Sequence, residues 1–287
     1  MMKLLRVRRV LPDFCLLCAV AFSLLCCFLF GSPVQHGFFC GDTSVMYPYK
    51  EDTISSPLCY VLGFTISIFA ICLVEYLRLK LLPTEPDRYV LRNREVHVWI
   101  VESSRFLGHY LLGACFNQLL TYVGKYGIGR LRPHFVAVCQ PNQTLLEWCL
   151  LHPTAYVHPI ACLTTDTKEL EHARTSFPSG HSSFSFYCAT FLVLYLQCRV
   201  RWSIYMKLVL PTVQFLLVVA ASLMAVSRVS DNAHHWSDAL FGAAVGSLVA
   251  VAMVIFVGHF NREPKASSTA PEKSPIKEQL STDYQTF

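Results

Sequence analysis

The sequence predicts an all-α, polytopic membrane protein with six transmembrane helices. Of its 287 residues, 53% are hydrophobic and only 15% are charged, whereas soluble domains are about 45–50% apolar and about 25% charged. Six apolar segments approach the roughly 20 residues that a helix needs to cross a bilayer. If successive segments cross the membrane in opposite directions, the most basic connections all fall on one side of it.

The predicted spans are the segments 14–30, 58–74, 106–123, 183–196, 208–226 and 239–260, of which the fourth is the shortest. The first span follows a basic start, as a signal peptide does. However, Phe28 and Phe30 stand where a cleavage site requires small side chains. We therefore interpret this segment as a retained span.

The distribution of Lys and Arg predicts the orientation of the chain. The start, the connections around 78–105 and 199–207, and the tail are rich in basic residues. Basic connections stay in the cytosol, so both termini are predicted to be cytosolic. The loops 31–57, 124–182 and 227–238 then lie on the extracellular or lumenal face.

Two features of the outer loops agree with that orientation. Asn142 begins an Asn-Gln-Thr glycosylation acceptor, which is usable only on this face. An oxidising compartment also permits disulfides. Four cysteines lie in these loops, and the sequence does not choose among their three pairings: Cys40, Cys139, Cys149 and Cys162.

The last residues differ in composition from the rest of the chain. Residues 261–287 are rich in Lys, Glu, Ser, Thr and Pro and have almost no large apolar residues. Such a segment cannot bury enough surface to offset its ordering entropy. We predict a membrane domain over residues 1–260, followed by a disordered cytosolic tail.

The first of three polar clusters follows the third span and contains Lys125 and Arg132. A basic run at the outer end of a span opposes the inside-positive bias. These side chains either snorkel to the headgroups or bind an anion. They are seven residues apart, two turns if helical, which would place both on one face of a helix.

The second cluster, Ser179-Gly180-His181, immediately precedes the fourth span. The free N–H groups and positive dipole end of a helix start bind anions. Gly180 lets the backbone approach a ligand closely, and Ser179 can cap the helix or donate. His181 would stand beside the anion and transfer a proton. A plain helix cap is the alternative interpretation.

The third cluster lies between the fifth and sixth spans and contains Arg228, His234 and Asp238. His234 and Asp238 are spaced as neighbours on a helix, and a carboxylate that accepts from one ring nitrogen turns the other lone pair outward. The guanidinium of Arg228 suits oxyanions. A lone His–Asp pair could be structural, but the three clusters together predict a phosphoryl-transfer site without a metal.

At these residues the chain resembles the lipid phosphate phosphatases, the integral-membrane type 2 phosphatidic acid phosphatases. Their pattern, Lys-x6-Arg-Pro, Pro-Ser-Gly-His and Ser-Arg-x5-His-x3-Asp, is filled in order from Lys125 to Asp238. The resemblance covers residues 10–260 and implies the helical core of bacterial acid phosphatases and vanadium haloperoxidases. Pro178 departs from the Tyr of several animal relatives and matches the broader superfamily.

The resemblance implies a role for each motif residue. His234 looks like the nucleophile that attacks phosphorus, and Asp238 like its orienting carboxylate. His181 resembles the acid that protonates the leaving alkoxide and later the base that activates water. The implied phosphate cradle is formed by Lys125, Arg132, Ser179, Gly180 and Arg228.

The implied reaction is metal-independent hydrolysis of phosphatidate, lysophosphatidate, sphingosine 1-phosphate or ceramide 1-phosphate at the outer leaflet, with the plasma membrane as the expected location. We expect membrane lipid phosphates and the bilayer as partners, no cofactor and no nucleic acid; a homo-oligomer remains open. The other histidines of the long loop show no ligand spacing and are predicted to lie on the surface: His134, His152, His158 and His172.

Three other functions fit parts of the sequence. An inactive relative that binds lipids or mediates adhesion should lack a catalytic residue, and none is missing. A transporter needs polar residues at mid-membrane, where His109, Asn117 and Gln118 are more typical of helix packing. Transfer of the phosphoryl group to another alcohol would use the same site. In the sixth span, the Gly242-x3-Gly246 pair is predicted to be a packing contact.

Overall fold

Long helices joined by irregular loops and short strands make up the fold. The computed structural model describes residues 2–4, 7–81, 88–91, 94–200 and 207–257, so the predicted tail at 261–287 lies outside the described residues. The elements are β1 (Met2–Leu4), α1 (Val7–Phe30), β2 (Phe38–Phe39), α2 (Ser56–Leu81), β3 (Arg88–Leu91), β4 (Arg94–Val96), α3 (Val98–Ile128), α4 (Phe135–Cys139), α5 (Gln143–Leu151), β5 (Tyr156–Val157), α6 (Thr167–His172), α7 (Gly180–Arg199), α8 (Val209–Ser230) and α9 (Trp236–Ala252), which a π-helical turn (Met253–Val257) extends.

The six predicted spans fall in α1, α2, α3, α7, α8 and α9. Within the described residues, four stretches are both long and apolar enough to cross a bilayer: Leu11–Phe30, Ser56–Leu81, Val209–Ser230 and Trp236–Phe256. Helices α3 and α7, with 31 and 20 residues, are long enough but more polar. The protein is therefore an integral membrane protein, and the count of six spans stays a prediction.

The position of α7 explains its polar sequence. It packs against α2, α3, α8 and α9, so protein rather than lipid surrounds much of it. Ser183, on α7, donates to Oδ1 of Asn117 at 2.7 Å, and the hydroxyl of Thr121 lies 3.1 Å from Ser183 Oγ. An enclosed helix needs no continuous apolar surface, which explains the short fourth apolar run. The Asn117 contact is the helix packing that the sequence predicted.

Two glycines bring α9 against the start of α7. A Cβ on Gly242 would meet the carbonyl oxygen of Ser179, and one on Gly246 would meet that of Ser183. The predicted packing contact is therefore confirmed. One turn before Gly242, the carbonyl of Asp238 accepts from Ser179 N at 3.1 Å, so this packing places the start of α9 beside the start of α7.

A buried ion pair joins the C-terminal ends of α2 and α7, far along α7 from Ser179. The carboxylate of Glu75 is fully buried and accepts from Nε and Nη2 of Arg199, both at 2.8 Å. The hydroxyl of Tyr195 donates to the same carboxylate at 2.8 Å. Because a buried carboxylate without a partner is costly, this network fixes how the two helices align.

The outer loops are joined to one another covalently and by a short sheet. Disulfides link Cys40 to Cys149 and Cys139 to Cys162, one of the three pairings left open. Strand β2 pairs antiparallel with β5, and β1, β3 and β4 form a second sheet. The all-α prediction therefore holds for the long elements but is wrong for these connections, where strand pairing satisfies backbone groups that lie outside the helices.

The predicted glycosylation acceptor lies at the surface of these loops. Asn142 is exposed and is the N-cap of α5, where its Oδ1 accepts from Thr144 N at 2.9 Å. An exposed side chain at a helix start is open to modification, although this capping bond would have to be released. Glycosylation remains a prediction.

Candidate active site

The basic cluster begins where α3 ends. Gly129 has a φ of 61° and donates its N–H to the carbonyl of Lys125, which closes the helix. Arg132 therefore lies beyond α3, and the expectation that a helix would align it with Lys125 is wrong, because a left-handed glycine terminates the helix first. Arg132 is instead held by its backbone N–H, which donates to the carbonyl of Ala173 at 2.9 Å.

Arg132 is buried with one of its donors unused. It is 4% exposed, and its Nη2 donates to Nε2 of His172 at 2.9 Å. The charge of Arg132 lowers the pKa of His172, so this imidazole is neutral and can accept. Among the described residues, no atom accepts from Nε of Arg132. This donor is available to a bound anion.

The second motif forms the start of α7. Ser179 is the N-cap, and its Oγ accepts from Ser182 N at 3.4 Å. A Cβ on Gly180 would lie 3.7 Å from Nζ of Lys125, so the missing side chain leaves space beside the ammonium group. His181 lies in the first turn, with Nε2 3.4 Å from Nη1 of Arg228. The structure thus joins all three motifs.

Arg228 is held by the first outer loop. It is 1% exposed; Nη1 donates to the carbonyl of Ile54 at 2.9 Å, and Nη2 to Asp52 at 2.6 Å and to Asp231 at 3.2 Å. Within the described chain, Nε has no acceptor. Asp52 and Ile54 could not be predicted, since nothing in their sequence spacing relates them to Arg228. Asp231 lay three residues from Arg228, which is a signal for a local ion pair.

His234 is held in one tautomer. Its Nδ1 lies 2.6 Å from the carbonyl oxygen of Ser176, and because a carbonyl only accepts, Nδ1 carries the proton. Burial, together with the charges of Arg132, Lys125 and Arg228, holds the pKa of His234 well below its usual range. The ring is therefore neutral near pH 7, and its Nε2 has a free lone pair.

The predicted direct bond between Asp238 and His234 is replaced by a longer contact. Helix α9 begins at Trp236, so His234 precedes it, and its Nδ1 lies 4.0 Å from Asp238 Oδ2. Ser176 joins the two residues, since its carbonyl accepts from His234 and its hydroxyl donates to Asp238 at 2.6 Å. Asp238 also accepts from Arg130. Ser176 lies three residues before Ser179, and its sequence position did not reveal this role.

Two of the four histidines predicted to lie on the surface belong to the site. His134 is 3% exposed, and its Nδ1 donates to the carbonyl of Asn232 at 2.9 Å. Burial, followed by the charge of Arg132, lowers the pKa of His134 to about 4. His172 contacts Arg132, as described above. The surface prediction is wrong for His134, because its contact comes from a distant segment, whereas His152, His158 and His172 are exposed as predicted.

A cavity of about 600 Å³ opens beside these groups. One part of its wall is polar and includes Lys125, Gly180 and His181, and another part is apolar. The apolar part comes from α1, α2 and α3 and includes Phe28, Tyr60 and Tyr122. The cavity could therefore hold a molecule with a charged end and a hydrocarbon part.

The donor groups of the site fit an anion better than a metal ion. In the part of the chain that the structure describes, no three His, Cys, Asp or Glu side chains come together as metal ligands. The groups that converge instead are Lys125, Arg132, Arg228 and the start of α7. Guanidinium, ammonium and helix N–H groups bind phosphate oxygens.

Comparison with known proteins shows the family of the chain. Residues 106–262 match the model of the PAP2 superfamily. The chain belongs to this superfamily. It is 40% identical over 255 residues to phospholipid phosphatase 2 of Rattus norvegicus, covering 88% of this chain and 87% of that protein. Phospholipid phosphatase 2 of Homo sapiens is 40% identical over 253 residues, covering 88% and 83%. The resemblance to lipid phosphate phosphatases is confirmed.

A solved structure from the same superfamily also resembles the chain. It is the crystal structure of a transmembrane PAP2-type phosphatidylglycerolphosphate phosphatase from Bacillus subtilis. The TM-score is 0.38 at 17% identity, over 89% of this chain and 97% of that one.

Proposed function

We propose that this PAP2 protein hydrolyses lipid phosphate monoesters through a phosphohistidine on His234. The observation that carries the proposal is a pair of buried guanidinium groups, on Arg132 and Arg228, whose Nε donors lack an acceptor among the described residues. Unsatisfied buried donors are costly. A phosphate group beside the neutral His234 would satisfy both.

The mechanism follows from the protonation of His234. Its Nε2 lone pair attacks phosphorus, a P–N bond forms, and the bond from phosphorus to the lipid oxygen breaks. His181 protonates the departing alkoxide and then takes a proton from a water molecule, which attacks phosphorus and releases inorganic phosphate. The carbonyl of Ser176 keeps Nδ1 protonated, and Asp238 positions the ring by holding the hydroxyl of Ser176. The charge of the neighbouring Arg228 disfavours protonation of His181. The incoming phosphate dianion favours the protonated form.

Positioning and fixed charge supply most of the rate acceleration. Hydrolysis of phosphate monoesters requires a barrier reduction on the order of 20 kcal/mol or more, which phosphoryl-transfer enzymes achieve largely by these two means. Here Arg132 and Arg228 provide fixed charge. Burial lowers the pKa of Lys125 to about 7, and a bound phosphate dianion favours its charged form. General acid–base catalysis by His181 contributes roughly 10² to 10⁴ in rate.

The cavity beside the site indicates the class of substrate. Its apolar wall, which includes Phe28, Tyr60 and Tyr122, suits a phosphate whose hydrocarbon chains remain in the membrane. The names of the rat and human relatives point to phospholipids, and the motif resemblance implies phosphatidate, lysophosphatidate, sphingosine 1-phosphate and ceramide 1-phosphate. We include all four in the proposal.

The proposal includes six spans, cytosolic termini and a site on the extracellular or lumenal side of the plasma membrane. Helix direction supports six spans, because the ends of α1, α3 and α8 and the starts of α2, α7 and α9 all contribute groups to the site region. The two disulfides support an oxidising compartment on that side. The exposed acceptor at Asn142 agrees with both.

Phosphate release in the presence of EDTA tests the proposed function. The purified protein is incubated with the four lipid phosphates, and liberated inorganic phosphate is measured. We expect release from phosphatidate without added metal. Loss of activity in EDTA that magnesium restores would contradict metal independence, and no release from any of the lipids would contradict the hydrolase proposal as a whole.

Substitution of Gly180 tests the space beside Lys125. A Cβ at this position would make only ordinary van der Waals contact, 3.7 Å from Nζ, so Gly180→Ala should fold normally. The added methyl group occupies space that a phosphate oxygen would need, so we expect kcat/KM for phosphatidate to fall roughly tenfold or more. Thermal unfolding provides the control. Unchanged kcat/KM would place the phosphate elsewhere.

A further inference from the structure

A second cavity lies between α1, α2 and α3. Its volume is about 390 Å³, within the usual range for ligand pockets. Three side chains, one from each helix, line both this cavity and the active-site cavity: Phe28, Tyr60 and Tyr122. Because the two cavities share these walls, they adjoin.

The second cavity extends along α3, away from the phosphate cradle. Leu111, which also lines it, precedes Tyr122 by eleven residues, about 16 Å of helix. Leu24 and Leu25 of α1 line the same space. An apolar cavity that begins at the phosphate site and continues among membrane helices has the shape and chemistry for a hydrocarbon chain.

Gln118 interrupts this apolar lining. Its side chain lines the cavity, is 8% exposed, and accepts from the hydroxyl of Tyr60 through Oε1 at 3.3 Å. No described residue accepts from its Nε2. A buried amide donor without an acceptor is costly. An oxygen atom on the molecule that occupies the cavity would satisfy this donor.

We propose that the second cavity binds a hydrocarbon chain of the substrate and that Gln118 donates to the carbonyl or hydroxyl oxygen beside the linkage between this chain and the phosphate-bearing part of the lipid. Gln118 precedes Lys125 by seven residues, about 10 Å of helix, so it lies between the phosphate cradle and the deep end of the cavity. An ester or amide carbonyl, or a hydroxyl, would accept from Nε2. The inference rests on the proposed function, since it takes the substrate to be a lipid phosphate.

A comparison of ester and ether lipids tests the role of Gln118. The purified protein in mixed micelles is given a diester phosphatidate or its diether analogue with the same chains. An ether lacks the carbonyl acceptor, so we expect the wild type to favour the diester about three- to tenfold in kcat/KM. Gln118→Leu should lose this preference and still hydrolyse the diether. An unchanged ester-to-ether ratio in Gln118→Leu would overturn the proposal.

Leu120 provides a matched control on the same helix. It is 53% exposed and does not line the cavity. Leu120→Ala should keep the wild-type ester-to-ether ratio. A loss of the preference in this variant equal to that in Gln118→Leu would also overturn the proposal, because it would show that any change in α3 alters the ratio.

Cys115 offers a second, independent variant. Its side chain lines the cavity, and Cys115→Trp should fill part of it. We expect kcat/KM to fall roughly tenfold for long-chain phosphatidate and to change little for a water-soluble, short-chain one. Equal losses for both chain lengths, at an unchanged thermal unfolding midpoint, would contradict a chain-binding cavity.

Binding separates this inference from the hydrolase proposal. Ligands raise the unfolding midpoint of the protein that binds them, so the thermal shift with each lipid is measured in parallel. If the wild type releases no phosphate, the proposed function fails, but a larger shift with the diester that disappears in Gln118→Leu would still support the inference. Equal shifts with both lipids in both proteins would overturn it.

Discussion

Replacing His234 with alanine is expected to lower phosphate release from phosphatidate by about 10⁴-fold or more, the scale seen when a covalent nucleophile is removed. His234 is neutral and donates through Nδ1 to the carbonyl of Ser176, so its Nε2 is the only ring atom that can attack phosphorus. The measurement is steady-state phosphate release by purified protein with matched thermal unfolding midpoints.

His158→Ala is the matched control, because His158 is an exposed histidine of the same outer loops. It should retain wild-type activity. Full turnover by His234→Ala would refute the assignment of the nucleophile. A reaction with substrate labelled at phosphorus can also be quenched rapidly without acid. The wild type should then contain an acid-labile phosphoenzyme, and His234→Ala should contain none.

Arg132→Ala is expected to lower kcat/KM by about 10² to 10³-fold, as loss of one group that stabilises transition-state charge does. The buried guanidinium has an unused Nε donor, and the lost charge cannot be replaced by water in a buried site. Arg132→Lys should recover part of the activity, because it restores the charge but not the planar guanidinium group.

The same substitution has a second readout in the neighbouring histidine. Arg132 is the main cause of the low pKa of His172, so in Arg132→Ala this pKa should rise towards its usual value, which NMR titration would detect. Arg105→Ala is the control, since Arg105 is exposed at the other end of α3. Wild-type turnover by Arg132→Ala would remove Arg132 from the phosphate cradle.

Sequence spacing predicted which residues come together better than it predicted how those residues are arranged. Lys125 and Arg132 do come together, but Gly129 ends the helix that was expected to align them. His234 and Asp238 lie 4.0 Å apart, and Ser176 joins them. Sequence spacing predicts contacts only between residues of one regular element. Each of these pairs spans a helix boundary, so its spacing did not predict its geometry.

The residues that the sequence could not predict belong to segments far away along the chain. Asp52 and Ile54 bind the guanidinium of Arg228, and His172 binds that of Arg132. The outer loops that carry these residues are joined by the Cys40–Cys149 disulfide and by the pairing of β2 with β5. No local periodicity contains this information.

By itself, the sequence determined the membrane class, the positions of the long helices and the family to which the chain belongs, because hydropathy and motif spacing are local properties of the chain. Tertiary structure alone decided which disulfides form, which groups orient the histidines, and where an apolar cavity adjoins the phosphate cradle. Those features depend on contacts between segments that are distant in sequence, and such contacts exist only once the helices have packed and the outer loops have closed over their ends.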